Sequence, residues 1–176
     1  MSYITTARGI HFDPIEPEEE LLRIRDIAHS LSLICRANGH TAHFYSVAQH
    51  SICCAKEAMA RGYKREVALG CLLHDGSEAY LSDVTRPVKK DLTYYLQVEE
   101  RLQNMIFSHF IGRELSKEEQ TQVFEIDDQM LSVEFLKLMP ETLNEWYREL
   151  KREVTCAFED PAKVETEFLS LYEQLV

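Results

Sequence analysis

Glycine and proline are scarce, six and five residues in a chain of 176. That scarcity argues against a loop-rich all-β fold and against disorder. Long apolar runs are absent too. No stretch approaches the ~20 residues of a membrane span, and the opening MSYITTARGIHFDP has no apolar segment of the kind a signal peptide needs. There is no CxxC pair. The five cysteines (Cys35, Cys53, Cys54, Cys71, Cys156) are odd in number and sit mostly in apolar helical runs. A disulfide framework or zinc knot is therefore not expected, and a reduced, cytoplasmic setting is. Positive charge is also short, with 19 Lys and Arg against 30 Asp and Glu, a net charge of −11. Nucleic-acid polymers and anionic membranes are thereby excluded as general partners. An enzyme with a small cationic pocket is not. For a phosphate substrate, a bound metal is the simplest source of that charge.

What is present is helix after helix. The 45% hydrophobic content and the length predict a single globular domain over 1–176. Residues 1–16 are the exception and read as an extended arm or short hairpin. Pro17 and the acidic run Glu18 to Glu20 suit a helix start. Apolar residues at helical spacing then carry that helix over about 17–36. A second helix is expected over about 46–61, with Val47, His50, Cys54 and Ala58 on one face. A third spans about 64–80 and is the most buried, and 83–87 is a loop. A long helix follows over about 91–111. Ser116 and Glu119 form a capping box for the next, which runs to about Met139 and breaks at Pro140. Helices over about 141–156 and 161–175 complete an all-α chain, the last one opened by Asp160-Pro161.

Most of the seven histidines need no function. His40 and His43 sit in a polar turn, and His29 and His109 read as structural or solvated. His74 differs, because it adjoins Asp75 at the end of the buried third helix. A buried carboxylate is costly without a metal or cation beside it. On a continuous helix Val67, Cys71, His74, Asp75 and Glu78 share one face. An apolar wall then turns into metal-competent and acid–base residues within about one turn. An amphipathic helix running out into solvent explains the same residues, and the helix alone leaves both readings open.

The segment HDGSEAYLSDVTRPVK, His74 to Lys89, follows FYSVAQHS with its His50. Together they resemble the HD phosphohydrolase superfamily, most closely its small 5′-nucleotidase-like branch. The pattern is a first His, then His-Asp, a Glu three residues on, an Asp five later, Pro-Val-Lys and a distal Asp; it extends from about Gly9 to Glu134. The resemblance implies a compact helical bundle with His50, His74 and Asp75 as metal ligands. Its fourth ligand falls in FEIDDQMLSVE, at Asp127 or Asp128. Branch members place it seven residues before a Glu, so Glu134 selects Asp127, whereas periodicity lets either share a face with Leu131.

Two imidazoles and two carboxylates suit one divalent ion, whether Co, Mn, Mg, Zn, Fe or Ni. A dinuclear site would need further His ligands, and the interval before the distal Asp holds only His109. By the same resemblance, Glu78 orients or deprotonates the attacking water, and Asp83 assists the leaving group or contacts the sugar. Arg36, 14 residues before His50, and Lys89 bind phosphate, while Lys90 is solvated. Ala37 departs from the branch, which carries an aromatic there; Phe44 or Tyr45 could replace it. Tyr80 and Trp146 read as packing.

The implied activity is a 5′-deoxynucleotidase acting on a small nucleotide. A deoxynucleoside triphosphohydrolase is the alternative, with Arg86, Lys89 and Lys90 for the extra phosphates. Alarmone hydrolysis fits less well because Glu78-Ala79 lacks a second acid, and cyclic-nucleotide phosphodiesterases need more His ligands. A binding module on a degenerate scaffold is the non-enzymatic reading. Apolar stripes on the last two helices allow a homodimer or higher homo-oligomer.

Overall fold

The helical periodicity of the sequence is realised over most of the described residues. In the computed structural model, which describes residues 3–139 and 149–176, the chain is all-α apart from one short hairpin. Strands β1 (Ile4–Thr5) and β2 (His11–Phe12) pair antiparallel, Ile4 opposite Phe12. The Asp26 carboxylate accepts from Thr6 Oγ1 and Arg8 N, each at 3.0 Å, and so holds the hairpin turn. Phe12 is buried and stacks on Tyr80.

Eight α-helices follow among the described residues: α1 (Ile24–Leu33), α2 (Val47–Ala60), α3 (Arg65–Leu73), α4 (Glu78–Leu81), α5 (Arg86–Lys89), α6 (Thr93–Ile111), α7 (Lys117–Leu138) and α8 (Pro161–Leu175). Helix α3 lies at the centre, packed against α2, α6, α7 and α8, and α1 packs on α2 and α8. Every α3 residue from Val67 to Leu73 is buried. Among the described residues no helix is long and apolar enough to cross a membrane.

Four expected boundaries are corrected. The helix expected from Pro17 begins as α1 only at Ile24. Glu19–Leu21 form a single 3-10 turn, after which Leu22 and Arg23 turn extended and Leu22 drops into the core. The continuous helix over 64–80 is broken. It ends at Leu73, turns through His74 to Ser77 and restarts as α4. Gly76 sits at the turn, where an added methyl would meet the Leu73 carbonyl oxygen at 2.9 Å and Ile106 Cγ2 at 3.1 Å. Helix α6 takes up backbone groups at the break, Gln103 Nε2 donating to the Leu73 carbonyl at 2.8 Å and Gln103 Oε1 accepting from Ser77 N at 3.0 Å, contacts that propensity cannot register. The 83–87 loop contains the start of α5, with Pro87 in its first turn. Of the helix expected over 141–156, residues 141–148, with Trp146, lie outside the described residues, as does Pro140. The remainder, from 149 on, is not helical. Buried Glu57 explains why: its carboxylate accepts from Lys151 N at 2.8 Å and Arg152 N at 3.0 Å, pulling that backbone out of a helical ladder.

Helix α7 opens on the expected capping box, Ser116 Oγ accepting from Glu119 N and Glu119 from Ser116 N. Arg113 pairs with the Glu119 carboxylate through two 2.8 Å contacts. Arg113 and the Ser116 amide hold that carboxyl down to about 2, below its usual 4.5. A depressed folded value means stability present above the unfolded value and lost as pH falls towards the folded one. Ser116→Ala is expected to cost about 1 kcal/mol at neutral pH. The urea-midpoint gap between the wild type and Arg113→Ala should narrow as pH falls from about 4.5 towards about 2. A gap constant across that range would assign the loss to something other than the Glu119 charge.

Candidate metal centre and its cavity

His50 lies in the first turn of α2, and that turn is held by its own capping box. Ser46 Oγ accepts from Gln49 N, and Gln49 Oε1 accepts from Ser46 N, each at 3.1 Å. Gln49 Nε2 also donates to the Ala157 carbonyl at 3.0 Å. The imidazole is fully buried. Its Nδ1 lies 2.9 and 3.0 Å from the two oxygens of buried Glu134, which accepts a further hydrogen bond from Tyr45 Oη at 3.0 Å. His74 follows the last residue of α3, and its Nδ1 lies 2.8 Å from the Cys71 carbonyl oxygen. A carbonyl can only accept, so Nδ1 carries a proton, and in the neutral ring the lone pair is on Nε2. Glu134 imposes the same tautomer on His50.

Both Nε2 atoms face one point. They lie 3.2 Å apart, and Asp127 Oδ1 sits 3.1 Å from His50 Nε2 and 3.6 Å from His74 Nε2. Asp75 Oδ2 is 3.4 Å from His74 Nε2 and 3.9 Å from His50 Nε2. First-row divalent ions take nitrogen and oxygen ligands at about 2.0–2.2 Å, which sets neighbouring ligand atoms roughly 3–3.5 Å apart. The donor set fits such an ion. Facing lone pairs beside two carboxylates also demand positive charge between them. In the metal-free protein a proton supplies that charge: burial and Arg36 work against a charged His50, but Glu134 and Asp127 prevail and hold it up to about 9. Burial likewise opposes ionised Asp127, but hydrogen bonds from both imidazoles hold its carboxyl well below the usual range.

A thiol joins this group. Cys54, one turn beyond His50 on α2, has its Sγ 3.6 Å from His50 Nε2, and the ligand atoms of His50, Cys54 and His74 all lie within 4.8 Å of one another. These three residues could hold a metal ion. Burial, reinforced by Cys71, Asp127 and Glu134, pushes the Cys54 thiol well above its usual 9.0. An ion that took sulfur would have to displace a tightly held proton. Asp127 offers a shorter contact and an existing negative charge.

Six of the eight expected site residues line a cavity of about 520 Å³; His50 and His74 do not, and they meet it through Asp75 and Asp127. Asp75, Glu78, Asp83 and Asp127 line it, opposed by Arg36, Arg86 and Lys89. Arg36 reaches it because the chain doubles back beyond α1: Arg36 N donates to Tyr45 O and Val47 N to Ile34 O. Its guanidinium sits 3.4 Å from Asp75 Oδ2 and 3.8 Å from Glu134 Oε2. Burial opposes that charge, and Glu134, Asp75, Asp83 and Glu78 outweigh it. Glu78 is 5% exposed, and its Oε2 has no hydrogen-bond partner among the described residues. Burial, then the like charges of Asp75 and Asp83, pushes its carboxyl well above the usual range, against Arg36 and Lys89. Lys89 Nζ donates to Glu99 Oε1 at 2.7 Å and stands 3.7 Å from Glu78 Oε1. Asp83 follows Ser82, whose φ of 72° is strained for a side-chain-bearing residue.

The shared helix face inferred for His74, Asp75 and Glu78 is thus replaced by a turn and a second short helix that converge on the same cavity. Asp128 is turned out to Arg86, at 3.0 Å, and is half-exposed. Tyr45 is spent on Glu134, Lys90 is exposed, and His43 Nε2 pairs with the Cys156 carbonyl. His29 pairs with Glu165 and His109 with Glu19. Sequence reasoning missed the roles of Cys54 and Glu134. Cys54 was visible on the His50 face but reads as packing. Glu134 served only as a spacing marker, and nothing in one sequence pairs it with His50. A larger groove of about 710 Å³ beside α8, lined by Lys56, Lys163 and Glu167 among others, contains none of these groups.

No family model matches the chain. Over 106 residues, 60% of this chain, it is 42% identical to YfdR, an uncharacterized protein of Escherichia coli strain K12. Over 108 residues, 58% of this chain, it is 35% identical to an uncharacterized protein of Rhodobacter capsulatus. The matches span 57% and 55% of the length of those relatives.

Proposed function

We propose that the chain is a metal-dependent phosphohydrolase that releases phosphate from deoxynucleoside 5′-monophosphates. The observation that carries this reading is the convergence of His50, His74, Asp75 and Asp127, of which the two aspartates line a cavity that also holds Arg36 and Glu78. Those four residues would hold one divalent ion, which would supply Lewis acidity at a phosphoryl oxygen and lower the pKa of water towards neutral. Among the ions that suit the set, hard ones favour the carboxylates, and Cys54 adds affinity for thiophilic ones.

The remaining steps belong to the side chains. Glu78 is buried beside Asp75 with one oxygen free among the described residues, so it can orient the attacking water and accept its proton. Arg36 is braced by Asp75 and Glu134 and donates to a phosphate oxygen from a fixed position. Lys89 gives a second phosphate contact from the opposite wall as it shifts away from Glu99. Asp83 lines the cavity near Glu78 and is placed to meet the leaving oxygen or the sugar.

Charge favours a monophosphate. Three cations oppose four carboxylates on the cavity wall, so one divalent ion leaves about one net positive charge. A monophosphate carries about two negative charges, and a triphosphate roughly twice that. The five cysteines are free thiols, which supports a reducing, cytoplasmic setting.

The test uses chelator-stripped protein reloaded with Co, Mn, Mg, Zn, Fe or Ni. The expected result is metal-dependent release of phosphate and deoxynucleoside from dAMP, with little tripolyphosphate from dATP. Tripolyphosphate from dATP without turnover of dAMP would replace this reading with a triphosphohydrolase. Turnover of neither with any ion would overturn hydrolysis.

A further inference from the structure

The segment that carries Asp83, Arg86 and Lys89 has little packing to hold it. No residue from Ser82 to Lys90 is buried. Its first residue is strained as well: Ser82 has φ 72° and ψ 156°, a conformation costly for a residue with a side chain. Such a turn persists where surrounding contacts fix it. Asp83 comes next in the chain and lines the cavity. A second space of about 370 Å³ shares Asp75, Glu78 and Lys89 with the first. That wall is therefore hollow behind, and polar ties rather than close packing hold it.

Tyr95, in the first turn of α6, supplies such a tie. Its hydroxyl donates to the Ser82 carbonyl oxygen at 3.0 Å. That carbonyl lies in the peptide plane that ends at the Asp83 Cα, so fixing it fixes the base from which the Asp83 side chain departs. The same hydroxyl lies 3.3 Å from Glu99 Oε1. A phenol has one proton to donate, and the shorter contact takes it. Glu99 Oε1 accepts instead from Lys89 Nζ at 2.7 Å. The Lys89 ammonium also lies 5.8 Å from the centre of the Tyr95 ring, within cation–π range. Tyr95 thus touches the segment at Ser82 through its hydroxyl and at Lys89 through its ring.

We infer that Tyr95 is a positioning residue, whose hydroxyl holds the Ser82–Asp83 turn so that the Asp83 carboxylate meets the leaving oxygen or the sugar of the substrate. This inference rests on the hydrolase reading above and on the place which that reading gives Asp83. Tyr95 does not line the cavity itself, so it acts through Asp83.

The test compares dAMP with p-nitrophenyl phosphate in the metal-loaded wild type, Tyr95→Phe, Asp83→Asn and the double variant. p-Nitrophenyl phosphate has no sugar, and its phenolate leaves without a proton, so it needs neither service of Asp83. Tyr95→Phe keeps the ring beside Lys89 and removes only the hydroxyl. It is expected to lower kcat/KM for dAMP by about tenfold and to leave turnover of p-nitrophenyl phosphate within about twofold of the wild type. Turnover of the second substrate on the same sample also reports that the fold and the metal are intact. A loss in kcat places Asp83 at the leaving oxygen, and a loss in KM places it at the sugar. Asp83→Asn should show the same dependence on substrate with a larger loss. The double variant should lose no more than Asp83→Asn alone, because both changes act through one carboxylate. Equal losses on the two substrates, no loss on dAMP, or losses that multiply in the double variant would overturn the positioning role and leave the hydrolase reading intact. A wild type that turns over neither substrate with any ion would overturn the hydrolase reading, and the role of Tyr95 with it.

Discussion

Glu78→Gln is expected to lower kcat for phosphate release by about 10²–10⁴-fold while the protein retains its metal. Gln keeps the size of the side chain but cannot accept a proton. The residue is nearly buried, and one carboxylate oxygen beside the metal centre is unpartnered among the described residues. Its burial and its neighbours Asp75 and Asp83 disfavour the charged form. A carboxyl whose folded pKa is raised destabilises the fold once pH exceeds its unfolded value, so removing that charge should stabilise the metal-free protein at neutral pH. Two measurements check this: steady-state kinetics with metal content determined on the same sample, and melting of the metal-free proteins. A variant with lower kcat, unchanged metal and a higher melting temperature separates loss of a proton acceptor from loss of fold. A kcat near that of the wild type would remove Glu78 from the reaction.

Adjacent aspartates should behave in opposite ways. Asp127→Asn is expected to weaken metal binding by at least about 100-fold, more than the loss of a residue that merely braces a ligand. Activity at limiting metal should fall in parallel. Asp128→Asn removes an exposed ion pair to Arg86, and such pairs contribute roughly 0–1 kcal/mol. Its metal affinity should stay within about fivefold of the wild type. Glu134→Gln should lie between them, at about 10–100-fold, because Glu134 orients His50 rather than facing the imidazole lone pairs. Calorimetric titration of chelator-stripped protein with Mn or Co measures all three. Equal effects of the two aspartates would mean that the contacts of Asp127 to His50 and His74 do not describe the metal-loaded centre.

Both expectations rest on residues of unequal legibility. His74, Asp75 and Glu78 stood out because charged groups at the end of a nearly unbroken apolar run need a reason to be there. The reason came from resemblance and not from periodicity. The face they were expected to share does not exist, since α3 ends at Leu73. Their convergence survives because the turn over His74–Ser77 and the short α4 deliver Glu78 to the same cavity. Asp127 and Asp128 were inseparable by helical spacing, because either can flank Leu131. Packing of α7 on α2 and α3 separates them, turning Asp127 to the imidazoles and Asp128 to solvent.

The sequence by itself determined the all-α class, the helices with strong apolar periodicity, the capping box at Ser116, and the residue types available for the site. These are local properties, set within a turn or two by side-chain spacing and by backbone groups needing a partner. Only the tertiary structure supplies the contacts between distant segments that match the break in the buried third helix, since Gln103 of α6 donates to the Leu73 carbonyl and accepts from Ser77 N. Long-range packing likewise leaves residues 149–160 irregular, with Lys151 N and Arg152 N held by Glu57. Contacts of the same long range brought Glu134 behind His50. Periodicity along one helix reports which side chains share a face, but which face meets which partner depends on how all the helices pack at once.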